Sequence, residues 1–279
     1  MPLRETSRHL VVLVTGARKG FGFALVSHLI GDANLLSEHQ LDLWVTSRDG
    51  DSLPELVIEL ESICVRSKLR ASVKGCCADL SDSTDIRNLC QKFSQSVTPT
   101  TSVLMIACAG QHERTVTFDD SNSSWRYSCP SDFSEEERRK LQMVNVDCPV
   151  TLFESLTQLS VTSATFVFIS SQAAEKMWWE KGNSLYGRQK DEVEQILKNQ
   201  VRNHSQVELF CLRFPFIESD MAHQMYEELS QVERLPPKDQ LFAPVSLVAQ
   251  RSVHFIFGSS TQSQFFQESS PHIYSYQPR

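Results

Sequence analysis

The sequence predicts an α/β fold for this 279-residue chain, a doubly wound parallel sheet of about seven strands with helices on both faces. Two observations predict it. Apolar runs of strand length recur at 10–14, 41–46, 71–78, 102–106, 164–169 and 207–212, separated by helical patterns, and near-continuous apolar strands belong to sheets covered on both faces. The first run also leads directly into a glycine-rich turn, Gly16-Ala17-Arg18-Lys19-Gly20-Phe21-Gly22, which opens a helix. In a strand-turn-helix of this kind Gly16 turns the chain sharply, Gly20 removes a side chain where a pyrophosphate would approach, and Gly22 lets the helix pack close to the sheet. The helix N-terminus then faces the anion. The plainer alternative is a loop that merely joins two elements.

Composition narrows the classes. With 41% apolar and 22% charged residues, the whole of 1–279 suits one domain with ample core. A net charge of -7 offers no basic footprint for nucleic acid, and no uninterrupted apolar stretch is long enough to span a membrane. Arg4 and Arg8 run straight into the first strand without a signal-like apolar segment. None of the eight cysteines forms a C-x-x-C pair, so reduced thiols and a soluble, cytoplasmic protein are expected.

The elements follow in order. In the first helix Phe21, Ala24, Leu25, His28 and Leu29 share a face. The second strand stops at Ser47-Arg48-Asp49-Gly50, where an acidic residue would accept from the ribose of NAD. Arg48 would instead meet the 2′-phosphate of NADP, with Lys19 a second cation on the same side; taken alone, Arg48 reads equally as a surface arginine. A helix over 54–65 and a third strand lead to Asp79-Leu80, where Asp79 and Ser81 are candidate caps for a helix running to Phe93. The fourth strand ends Ala107-Cys108-Ala109-Gly110, and 111–133 is a long polar connection. Ser134 and Glu137 form a capping box for one long helix with Leu141, Val144, Val150, Leu152, Phe153 and Leu156 at helical spacing.

The fifth strand delivers Ser170-Ser171 at its carboxyl end, the edge where open α/β sheets bind ligands. Beyond a loop with Trp178 and Trp179, a helix carries Tyr186 and Lys190 at i and i+4, so both leave one face. Reduction of a carbonyl needs its oxygen polarised and protonated, and a phenol near a lysine ammonium is suited to that step. The sixth strand ends in Pro215-Phe216, followed by Ser219-Asp220-Met221. A helix over 244–257, a polar connection over 258–270 and a final edge strand over 272–276 complete the chain.

The Thr-Gly-x-x-x-Gly-x-Gly turn, Ser171 and the Tyr-x-x-x-Lys pair resemble the short-chain dehydrogenase/reductase family over essentially the whole chain. The resemblance implies a Rossmann-type fold, NADPH as hydride donor, a small carbonyl substrate and a homodimer built on the helices at 134 and 186. It implies Tyr186 as proton donor, Lys190 supporting it and holding the nicotinamide ribose, Ser171 bound to the substrate oxygen, and Asn145 holding a water in the proton path. It places the turn residues, including Arg18 and Phe21, with Arg48, Asp79 against the adenine, Leu80, Ala109, Gly110, Pro215, Ser219 and Met221, around the cofactor. Substrate loops are expected at 172–183 and 214–240. Within the family, the sepiapterin reductase branch is most similar, which suggests a pterin or another dicarbonyl substrate. Three departures stand out: the strand end at Ala107-Cys108 lacks the usual two asparagines, Phe216 stands for a glycine, and Tyr274 occupies the place of the pterin-anchoring aspartate. The first two departures are what a catalytically weak NADP-binding sensor or scaffold would show, so both readings stay open.

Overall fold

The computed structural model describes residues 9–113, 116–175, 185–258, 266–270 and 273–276. Eight strands form one sheet in the order β3-β2-β1-β4-β7-β8-β10-β9, comprising β1 (His9–Thr15), β2 (Gln40–Ser47), β3 (Arg70–Cys77), β4 (Ser102–Ala107), β7 (Ser163–Ser171), β8 (Val207–Phe214), β9 (Phe266–Ser270) and β10 (Ile273–Tyr276). Seven run parallel, and β9 alone pairs antiparallel, on the outside of β10. The expected edge strand is therefore interior to β9, which arises within the segment read from sequence as polar connection; Phe266-Gln267-Glu268-Ser269-Ser270 has too little apolar character to announce a strand.

Side chains of β1 divide the molecule into two cores. Leu10, Val12 and Val14 face one way, against α1 (Gly20–Gly31), α2 (Ala33–Leu36), α3 (Leu53–Arg66) and α9 (Val245–Ile256). Val11 and Leu13 face the other, against α4 (Ser83–Ser94), α6 (Cys148–Thr157) and α7 (Leu185–Val201). Each buried Val or Leu contributes about 1.5–3 kcal/mol. Because both faces are apolar, the period-2 alternation cannot fix the register by itself; it is set by the ladders on either side, Val12 lying opposite Leu43 and Leu104. Strand order reverses at β1 and β4, so their carboxyl ends open the crevice where such sheets take ligands.

Four local expectations are corrected. The buried stripe of α1 is Gly22, Leu25, Val26, Leu29 and Ile30, rotated from the expected face, while Phe21 packs on Phe214 with ring centroids 5.0 Å apart. The cap of α4 is Asp82, whose carboxylate accepts from Thr84 N at 2.6 Å, because Asp79 is occupied with Ser81. The connection after Gln111 contains a hairpin, β5 (Val116–Asp119) with β6 (Ser124–Tyr127), pinned by a bidentate Arg126–Asp132 pair at 2.8 and 2.7 Å. The long helix from Ser134 is two helices, α5 (Glu135–Gln142), with the expected capping box, and α6, joined by a π turn over Met143–Asp147. Pro149 accounts for the break: it has no N–H for the carbonyl of residue 145 and its ring crowds that carbonyl, and the extra residue, marked by Cys148 N bonding Met143 O, relieves both.

Candidate active site

The glycine turn is built by what each glycine excludes. A Cβ on Gly16, whose φ is 69°, would lie 2.8 Å from Ala109 Cα, and one on Gly22 would lie 2.2 Å from Gly16 O. These two are packing glycines. Gly20, at φ 60°, has nothing nearer its absent Cβ than Ser219 at 3.9 Å, so the turn leaves room beside it. No side chain caps α1, whose first amides face the carboxyl edge of the sheet. The neighbouring strand end is tied down by Thr15, whose Oγ1 accepts from Cys108 N and Ala109 N, both at 3.2 Å. The backbone of 108–109 thereby keeps its shape without the two asparagines.

Among the basic residues, Arg48 is exposed, Arg18 Nη1 lies 3.7 Å from Asp49 Oδ2, and Lys19 Nζ lies 2.6 Å from Asp220 Oδ2. Asp79 accepts from Ser81 N at 2.9 Å and Ser81 Oγ at 2.7 Å, and Leu80 is buried.

At the end of β7 the buried residues converge. Lys190 is 2% exposed, donates to Ile169 O at 2.9 Å, and holds its ammonium 4.6 Å from the Phe168 ring and 5.5 Å from that of Tyr186. Burial pushes its pKa down to about 8, with the neighbouring Cys108 and Glu194 acting the other way. Tyr186 is raised, first by burial and then by Glu113 and Cys108, which keeps the phenol protonated. Ser171 Oγ accepts from Ala173 N at 3.1 Å and, as a hydroxyl, still carries a donor. Asn145, fully buried in the π turn, accepts from Gln111 N at 2.8 Å and donates to Gln111 O at 2.6 Å and Gln189 Oε1 at 2.8 Å. Gly110 faces this group: a Cβ there would lie 3.6 Å from Lys190 Nζ and 3.9 Å from Asn145 Oδ1.

A model for short chain dehydrogenases matches residues 10–230. The chain belongs to the short-chain dehydrogenase family. No curated protein matches it significantly in sequence. Among solved structures of the same fold, it is similar to L-sorbose reductase from Gluconobacter frateurii in complex with NADPH and L-sorbose, at 14% identity, TM-score 0.67, over 99% of this chain and 96% of that one. It is similar to a short-chain dehydrogenase from Sphingobium yanoikuyae in complex with NADPH, at 17% identity, TM-score 0.62, over 88% and 84%. A third, from Burkholderia cenocepacia J2315 in complex with NADP, shares 16% identity at TM-score 0.63 over 90% and 92%.

After β8, Phe216 packs on Phe242 at 5.6 Å; Phe242 also meets Tyr226 at 5.8 Å and stacks on His223 at 4.7 Å. Main-chain bonds from Ala243 N to Phe216 O and from Glu218 N to Ala243 O, at 2.8 and 2.9 Å, fasten the same spot. Ser219 caps α8 (Asp220–Leu229) through Ala222 N, with Met221 half-buried in its first turn. Glu228 comes within 3.8 Å of buried His112, and Tyr127 of the hairpin donates to Glu233. Pro215 is half-buried at the root of this cover.

Two groups escaped the sequence reading. Glu113 is 7% exposed and both its oxygens lie 3.0 Å from Tyr186 N. Glu194, fully buried, accepts from Ser170 Oγ at 2.5 Å and holds Arg213 at 2.8 and 2.7 Å. Glu194 continues the Tyr186-Lys190 spacing by another four residues, a signal that could have found it; Glu113, 73 positions from its partner, has none. The loop with Trp178 and Trp179 lies outside the described residues, as does the side chain of Tyr274.

Proposed function

We propose that the protein is an NADPH-dependent carbonyl reductase acting on a ketone or dicarbonyl, with a sepiapterin-like pterin the leading candidate, and that it works as a cytoplasmic homodimer. The observation that carries this reading is the buried Tyr186-Lys190 pair near the Ser171 end of β7, with Lys190 Nζ beside Gly110. A dinucleotide fits these residues: Gly20 leaves space for a pyrophosphate, the uncapped amides of α1 face it, and Arg48 and Lys19 supply charge for a 2′-phosphate. Bound there, NADPH supplies the hydride.

The chain's own residues do the rest. Ser171 donates to the substrate oxygen and fixes it; Tyr186, kept protonated by burial, gives that oxygen its proton. Lys190 holds the nicotinamide ribose and, as an ammonium, eases release of the phenolic proton. Asn145 braces Gln111 against Gln189 and offers the remaining lone pair of Oδ1 to a water. A sensor or scaffold role is the second reading, favoured by the fastened cover around Phe216.

NADPH oxidation against a panel of diketones and sepiapterin separates the two. Tyr186→Phe keeps the ring and removes the hydroxyl, so kcat should fall by about 10²–10⁴ with little change in NADPH affinity. A folded Tyr186→Phe protein with most of its activity would overturn the mechanism.

A further inference from the structure

The catalytic helix α7 begins at a buried carboxylate from a distant loop. Glu113 follows the end of β4 by six residues, is 7% exposed, and presents both oxygens to Tyr186 N at 3.0 Å. A carboxylate at a helix N-terminus satisfies an amide that has no partner within the helix and opposes the positive end of the helix dipole. The amide is that of the proposed proton donor itself. We propose that Glu113 is a positioning residue, holding the first turn of α7 and setting, by its charge, the proton affinity of the Tyr186 phenol.

This inference rests on Tyr186 being the proton donor. Among the described residues, the charged and titratable groups around the phenol are Glu113 from the loop after β4, Cys108 from the strand end itself, and Lys190 from α7; His112, beside Glu113, faces Glu228 of α8. Burial raises the thiol of Cys108 to about 12, so below that pH it is neutral, and the His112 imidazole is lowered by burial. Among the described residues the carboxylate facing Tyr186 is therefore that of Glu113, and Lys190 opposes its charge only while still protonated, up to about pH 8. A negative neighbour disfavours tyrosinate, so removing it lowers the phenol's pKa. For carbonyl reduction, which needs the protonated phenol, the alkaline limb of kcat/KM then moves to lower pH.

Glu113→Gln keeps the size and one acceptor oxygen while removing the charge; Glu113→Ala removes both. In Glu113→Gln, the alkaline limb should move down by about one pH unit, a tenfold change in proton affinity. The tyrosinate absorbance of the NADP-loaded protein, read as the difference from its own Tyr186→Phe partner, should move equally, and it needs no turnover. Amide exchange in the peptide covering the first turn of α7 should stay near the parent rate in Glu113→Gln and rise at least tenfold in Glu113→Ala. An unmoved phenol midpoint in Glu113→Gln overturns the proposal, as does unchanged exchange in a folded Glu113→Ala; should the alanine variant not fold, the glutamine variant decides alone. A carbonyl panel without turnover would count against the reductase reading, whereas the absorbance and exchange results would still judge Glu113.

Discussion

Lys190 carries the sharpest conflict between stability and chemistry at the residue scale. Its ammonium is buried with one carbonyl, Ile169 O, and two aromatic rings for company, and its pKa falls from 10.5 to about 8. The folded protein thus binds this proton more weakly than the unfolded chain does. Between pH 8 and 10.5 the unfolded state holds more protons, so this group's contribution to stability rises with pH across that window; below pH 8 the penalty is fully present, about 3 kcal/mol. Lys190→Met should therefore stabilise the cofactor-free protein at pH 7 by about 1–3 kcal/mol, the lost bond to Ile169 O offsetting part of the gain. Denaturant midpoints should show the advantage shrinking from pH 8 to 10.5, while NADPH affinity falls at every pH. Lys19 poses the opposite case. Its pair with Asp220 is solvent-exposed, such pairs contribute about 0–1 kcal/mol, and a phosphate should displace it readily. Charge-assisted bonds to that phosphate contribute about 1.5–3 kcal/mol each, so Arg48→Asp should weaken NADPH binding by about 10–100-fold and NADH binding far less. Fluorescence titration with both cofactors checks it; equal affinities in the parent would sink the assignment.

The π turn and the cover after β8 show how whole elements are bent to the site. A regular helix through 143–147 would rotate Asn145 relative to α6; the added residue sets its amide between Gln111 and Gln189, where three hydrogen bonds fix it. Phe216→Gly removes the ring that joins β8's end to Phe242 and should loosen 216–243, for a loss of about 1–2 kcal/mol given its half-burial. Faster proteolysis within that segment, with a changed NADPH Kd and an unchanged core melting transition, is the expected result. These elements also mark the limit of sequence reading. β1, β4 and β7 were legible because strands buried on both faces have apolar runs that no helix of that length needs. The hairpin was not, since Val116–Asp119 and Ser124–Tyr127 are four residues each, half of them polar, and stabilised by Arg126–Asp132 and Thr117–Ser128, contacts with no periodic trace. Likewise Tyr186 and Lys190 announced themselves by spacing on one helix, whereas Thr15 and Glu113 act across the fold on backbone amides, which a sequence does not display.

At the scale of the whole molecule, the proposed homodimer rests on the family resemblance. On the helices it would use, Leu141, Leu152, Phe153 and Leu156 are buried in the chain's own core, and among the described residues the large exposed apolar side chains are Ile58, Val65, Phe118 and Trp125, none of them on α5, α6 or α7. Light scattering at micromolar concentration should report twice the chain mass; a stable monomer would contradict the proposal. The strand order carries a separate consequence for biosynthesis. As the ribosome releases the chain, β2 can join β1, β3 can join β2, β4 takes the other side of β1, and β7 and β8 extend that side, so each arrival docks on a margin already made. Only β9 breaks the sequence, emerging before its inner neighbour β10. Until β10 leaves the exit tunnel, β8 presents an unpaired row of amides and carbonyls, and that interval is when this edge of the nascent chain most needs a chaperone's cover.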